Sequence, residues 1–162
     1  MPPTDEPPSE LAELRDRAAI VDVLALFCER VDEYDIPGLA AVFTADCFTD
    51  YGPGRGGPVH GLADVLARIA RGQAEFRRTH HQLGQTRLTL DGDGDGADAI
   101  TYVTATHEHR DGRRSRVQLR YLDRLQRTEA GWRIAERRAH ASVVEGMDDT
   151  AWVWTPRAEP PS

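Results

Sequence analysis

The chain of 162 residues, 40% hydrophobic and 29% charged, is long enough to bury a core without disulfides or structural metal and too short for several domains. Its formal net charge of −7 argues against a nucleic-acid partner, and no apolar run approaches the roughly 20 residues of a membrane span. The acidic, proline-rich start MPPTDEPPSE lacks the basic opening and apolar run of a secretory signal, so the expectation is a cytoplasmic protein without a membrane partner.

Residues 1–9 read as a disordered tail, 10–145 as one domain, and 146–162 as a C-terminal tail that serves as a pocket lid or an interface segment. Ser9 is a fitting N-cap, and Leu11, Leu14, Ala18, Val21, Leu24 or Ala25, Cys28 and Val31 recur at helical spacing, predicting a helix to about Val31. A short helix over Pro37 to Phe43, a short strand over 47–51 and a loop over GPGRGGP (52–58) follow. Leu62, Val65, Leu66 and Ile69 predict another helix, stopped by Gly72. From Thr79 the period changes to two, predicting strands at 79–90, 98–109, 114–127 and 131–142 with turns at DGDGDG, RDGR and TEAG. The apolar parity shifts between Leu83 and the pair Leu88 and Leu90, which predicts a bulge near Gly84. Helices first and an antiparallel meander afterwards define an α+β fold, a curled antiparallel sheet in a cone-shaped half barrel, with the N-terminal helices enclosing a pocket.

Asp32 falls on a helical stripe with Val21, Ala25 and Cys28, and so faces inward at the helix end, unless it caps the following turn. In THHQLGQT (79–86) the two histidines point to opposite faces, and His81 shares parity with Leu83, making His81 the pocket residue. His107 and His109 share one strand face, an arrangement that, with Asp32 as third ligand, would suit a transition metal. DGDGDGADAITY has acids at alternate positions but Tyr102 where a calcium loop needs its glutamate, and reads as a hairpin turn. Cys28 and Cys47 read as small core residues. The arginines from Arg110 to Arg138 read as the solvated outer face of two strands. With no nucleophile elbow and no phosphate loop, the chemistry left is general acid–base work by Asp32, a histidine and Tyr51.

RVDEYDIPGLAAVFTADC, DYGPG, VHGLADVLARI, THHQLGQ and RYLDRLQRTEAGWRIAERR, in this order over residues 10–140, resemble the SnoaL-like group of the nuclear transport factor 2-like superfamily, especially its scytalone dehydratase-like branch. The resemblance implies that Asp32 pairs with His81, that Tyr51 is a pocket tyrosine polarising the substrate, and that His107 is a second pocket histidine. The pairing is also similar to that of hexachlorocyclohexane dehydrochlorinase. Val31 replaces a tyrosine of the dehydratase pattern, and neither Gln118 nor Leu119 matches its serine and asparagine, so scytalone itself is not the expected substrate. The expectation is a cofactor-free dehydratase, eliminase, isomerase or cyclase of secondary metabolism. It would act on a small, largely apolar carbonyl or polyketide-type molecule held by Val31, Phe48, Leu66, Tyr102, Leu119 and Trp152. The assembly implied is a homodimer, with a trimer as the alternative. A non-catalytic binding module, a metal enzyme using His107 and His109, and a ring-hydroxylating dioxygenase small subunit share the fold and remain rivals.

Overall fold

The computed structural model describes residues 10–160, so the expected N-cap Ser9 and the expected tail over 1–9 lie outside the described residues. Helix α1 (Glu10–Asp32) carries Glu10 and Glu13 in its first turn and Arg30 in its last, as the helix dipole favours. It buries Ile20, Leu24, Phe27, Cys28 and Val31, whereas Leu11, Leu14 and Val21 are 58%, 58% and 45% exposed. The inward stripe keeps Leu24, Cys28 and Val31 of the one expected and takes Ile20 and Phe27 in place of Leu11, Leu14 and Val21. Ile20, Leu24, Phe27 and Val31 satisfy the same helical spacing and offer more apolar area than Val21 and Ala25, so they take the core. The helix ends where Tyr34 adopts φ +57° and the Asp35 amide returns to the Arg30 carbonyl at 2.8 Å. The Tyr34 hydroxyl donates to the Ala70 carbonyl at 3.2 Å, tying this corner to the next helix.

The expected second helix is a 3-10 turn, Pro37–Ala41, capped by the Gly38 amide donating to Asp35. Strand β1 (Phe43–Asp50) leads through a 3-10 turn, Pro53–Arg55, into β2 (Pro58–His60), so the segment expected as pure loop gives its last residue to a strand. Helix α2 (Leu62–Gln73) precedes the long strands β3 (Phe76–Leu90), β4 (Gly96–His109), β5 (Arg114–Thr128) and β6 (Gly131–Glu145).

The six strands order as β2-β1-β6-β5-β4-β3 in one unclosed sheet. β3 to β6 form the expected antiparallel meander, but β1 runs parallel to β6, with Thr49 opposite Arg137, so the sheet is mixed. That pairing joins segments some ninety residues apart, and no local alternation encodes it. The register slips between Leu83 and Thr86, which places the bulge where the parity change put it. Two further slips in β6 leave Ala135 and Ser142 without opposite partners on β5. Twist and bulges curl the sheet around α1 and α2, and the core fills the concave side.

Candidate active site

Asp32 sits in the last turn of α1, where the helix meets β3. Its Oδ1 lies 2.7 Å from His81 Nδ1 and accepts from the Thr79 hydroxyl at 2.7 Å, while its Oδ2 accepts from the His81 amide at 2.8 Å. One strand therefore supplies all three partners, and the His81 backbone and ring are held by the same carboxylate. Burial pulls the Asp32 carboxyl upward, but the bonds from His81 and Thr79 outweigh it and hold the group below the ordinary carboxylate value. The His81 side chain is only 5% exposed, and with Nδ1 on Asp32 its Nε2 is left for the cavity it lines. His80, on the other face of the strand, is 75% exposed, with its Nδ1 3.9 Å from Asp32 Oδ2.

The cavity, about 390 Å³, lies between α1, α2, the Pro53–Arg55 turn and the concave face of the sheet. His81, His107, Tyr51, Val31, Leu119 and Trp152 all line it. The His81 and His107 rings are 5.9 Å apart, and His107 stacks on Phe76 at 4.3 Å. Burial, reinforced by His81 and Arg55, drives the His107 pKa down to about 3, so His107 is neutral at physiological pH. The Tyr51 hydroxyl is buried without a hydrogen-bond partner of good geometry, and burial raises its pKa despite the nearby Arg137 and Arg68 charges.

Three residues expected to bind substrate stand elsewhere. Tyr102 is 49% exposed on the opposite sheet face, under Arg120, because it alternates with the buried Val103. Phe48 packs against the His60 ring at a tilt, between β1 and β2, and is covered by Arg138. Leu66 packs against the core from α2 without reaching the cavity wall. The alternative metal set does not assemble: His109 turns to Ser115 at 2.9 Å, and among the described residues no three histidine, cysteine or acidic side chains converge as ligands.

Two arginines escaped the sequence reading. Arg137, expected on the solvated face, is fully buried and forms two parallel 2.7 Å bonds to Asp123. The unpaired Ala135 flips the parity of β6, turning Arg137 inward with Ala139 and Ala141. Burial works against the Arg137 charge, and Asp123 overrides it, holding the guanidinium protonated. Arg68 lines the cavity from the face of α2 that also buries Val65 and Ile69. An arginine at helical spacing within an apolar stripe was the available signal.

The C-terminal segment closes one side. The Ala141 amide donates to the Val153 carbonyl at 2.8 Å, which brings Trp152 to the cavity wall and leaves Trp154 43% exposed beside β6.

The curled α+β cone, a mixed six-stranded sheet wrapped on two helices, is the nuclear transport factor 2-like fold. Within it, the chain belongs to the SnoaL-like domain family, whose sequence profile matches residues 12–138. A protein of Novosphingobium aromaticivorans provisionally named a scytalone dehydratase is 21% identical, with 91% of this chain and 98% of that one covered at a TM-score of 0.83. A protein of the same organism provisionally named an aromatic ring hydroxylase is 30% identical over 85% and 97% of the two chains, at a TM-score of 0.77. Hexachlorocyclohexane dehydrochlorinase LinA from Novosphingobium barchaimii is 18% identical over 92% and 100%, at a TM-score of 0.76. No curated protein matches the sequence significantly.

Proposed function

We propose that the protein is a cofactor-independent acid–base lyase, a dehydratase or eliminase, acting on a small carbonyl compound with a largely apolar body. The observation that carries this reading is the 2.7 Å contact between Asp32 and His81 Nδ1 at the wall of an otherwise mostly apolar cavity. His81 Nε2 removes a proton from the carbon next to the carbonyl. The C–H electron pair becomes the new double bond as the bond to the β substituent breaks and that group departs with its electrons. Asp32 fixes the reactive tautomer and stabilises the imidazolium, aided by the negative end of the α1 dipole. The imidazolium then returns its proton to a departing hydroxide, which leaves as water. His107 serves as a hydrogen-bond donor to the developing oxyanion rather than as a proton source, because burial keeps it neutral, and Tyr51, on which burial keeps the proton, holds the substrate by a further hydrogen bond.

The SnoaL-like family, the dehydratase and the dehydrochlorinase support elimination, and the ring hydroxylase resemblance supports an aromatic substrate body. Isomerisation or cyclisation would begin with the same proton abstraction. In this reading the protein works in the cytoplasm as a homodimer, which light scattering on the eluting protein tests.

Aryl β-hydroxyketones, whose dehydration yields a conjugated enone followed by absorbance, are the first substrates to assay. Asp32→Asn keeps a side chain of the same shape and is expected to retain the fold while lowering kcat by about 10²–10⁴. Undiminished turnover in that variant would rule out the acid–base pair.

A further inference from the structure

Five of the residues lining the cavity each carry a buried polar atom without a hydrogen-bond partner: Tyr51 Oη, Arg68 Nε, Gln73 Oε1, His107 Nδ1 and Trp152 Nε1. Buried polar groups are nearly always satisfied, so a cluster of orphans around one cavity describes what is meant to enter it. The cluster is unbalanced. Tyr51, Arg68 and Trp152 each offer a hydrogen to donate, and Gln73 alone offers only an acceptor. The matching ligand is rich in acceptors.

The charge distribution points the same way. Arg68 is 7% exposed and forms no ion pair among the described residues. Its Nη1 is spent on the Arg55 carbonyl and its Nη2 reaches the Thr49 hydroxyl at 3.4 Å, a neutral environment for a buried cation. Asp50 contributes some favourable charge, but its carboxylate accepts from the Gly52 amide at 2.9 Å instead of turning to Arg68. Desolvation is the largest influence on Arg68 and works against its charge, yet an arginine does not give up its proton in a protein. Of the two other arginines at the cavity, Arg55 faces Glu75 at 3.5 Å, and Arg71 makes no ion pair among the described residues. The Arg68 guanidinium lies 4.6 Å over the Tyr51 ring, so a cation and a hydroxyl whose hydrogen has no acceptor share one wall.

We propose that the substrate carries a carboxylate, seated on Arg68 and the Tyr51 hydroxyl, with its apolar body extending to His81. This deepens the acid–base reading by naming the substrate class, and rests on it for the choice of cavity. A carboxylate is the oxyanion that a guanidinium edge and an adjacent hydroxyl both fit. It also explains why a cavity with Phe27, Val117 and Leu119 in its walls keeps an unpaired arginine.

The test compares trans-cinnamate, cinnamamide and benzalacetone, which have the same shape and differ only in the terminal group, by isothermal titration calorimetry on the full chain. Charge-assisted hydrogen bonds predict that cinnamate binds about tenfold to a hundredfold more tightly than the amide or the ketone. In Arg68→Met that preference is expected to vanish, and in Arg68→Lys, which keeps the charge without the fork, it is expected to weaken but persist. Equal affinities in the wild type, a preference for the amide or ketone, or no binding of any of the three overturns the proposal. These wild-type comparisons decide the matter even if Arg68→Met does not fold. In Asp32→Asn the carboxylate preference is expected to survive, so the two readings fail separately. Undiminished turnover in that variant refutes the acid–base pair, whereas absence of the preference in the wild type refutes the anion subsite.

Discussion

Replacing Asp123 by asparagine removes one charge from the most deeply buried ion pair in the protein. Arg137 and Asp123 have side chains 1% and 0% exposed and share two 2.7 Å bonds. The guanidinium also lies 4.0 Å over the Tyr121 ring and 4.2 Å over Phe27, so it cannot swing to solvent without dismantling the core beside the cavity. Its Nη1 already lacks a partner. Asparagine keeps one acceptor and loses the charge, which leaves a buried cation balanced only by aromatic faces. Breaking such a pair on one side costs about 3–5 kcal/mol. At roughly 2–4 °C per kcal/mol for a domain of this size, Tm should fall by about 6–20 °C. Urea unfolding followed by far-UV circular dichroism reads the loss directly, and an unchanged m-value confirms that the native state has not loosened. Replacing both partners, Asp123→Leu with Arg137→Met, removes both desolvation costs and is expected to cost far less than the single change. A loss below about 1 kcal/mol in Asp123→Asn would mean that Arg137 is not held as a buried cation, and the parity argument that put it inside would fall with it.

His107 has a folded pKa of about 3 against 6.5 when unfolded, so the unfolded chain binds the extra proton between those values. Its contribution is complete above 6.5 and is lost as pH falls toward 3; urea midpoints of the wild type should therefore drop more steeply on acidification than those of His107→Gln, and parallel curves would contradict the burial argument. Burial pushes the thiols of Cys28 and Cys47 up to about 12 and about 11, so neither should react with a thiol reagent at pH 8 until the protein unfolds. At Gly54 an added Cβ would meet the Ala151 backbone at 2.7 Å, so Gly54→Ala should push the C-terminal segment off the cavity wall. Acrylamide quenching of tryptophan fluorescence should then increase as Trp152 becomes accessible, and unchanged quenching would show that the segment adapts in place.

The long strands and the inward face of His81 were legible because both are written in local alternation, whereas its pairing with Asp32 was implied by the family resemblance. His81 is assigned by sharing parity with Leu83, before the bulge intervenes. Asp32 was reached through a stripe that is partly wrong: of the three residues grouped with it, Val21 and Ala25 are exposed and only Cys28 is buried. That residue lies one turn before Asp32, which is why the inference still pointed inward. Arg137 was illegible for the opposite reason. Counting forward from Trp132 and Ile134 predicts Glu136 inside, while counting backward from Ala141 and Ala139 predicts Arg137, and the conflict between the counts is the mark of the bulge at Ala135. The parallel union of β1 with β6 depends on tertiary packing alone, and with it the placement of Thr49 and Tyr51 near the cavity.

The charged groups of the interior divide by how they are answered. Asp123 meets a guanidinium that uses both of its oxygens, with no solvent access, and the pair is closed chemistry that props the wall behind Tyr121. Asp32 is answered by a hydroxyl, an amide and an imidazole, and its side chain keeps 21% exposure. Arg68 is answered by neither a carboxylate nor full hydrogen bonding. A fold that gives Arg137 a carboxylate on two of its nitrogens and leaves Arg68 without one, at similar burial, is not short of acids with which to pair it, since acidic residues outnumber basic ones 27 to 20. The unpaired cation stands at the cavity wall, and the paired one behind it.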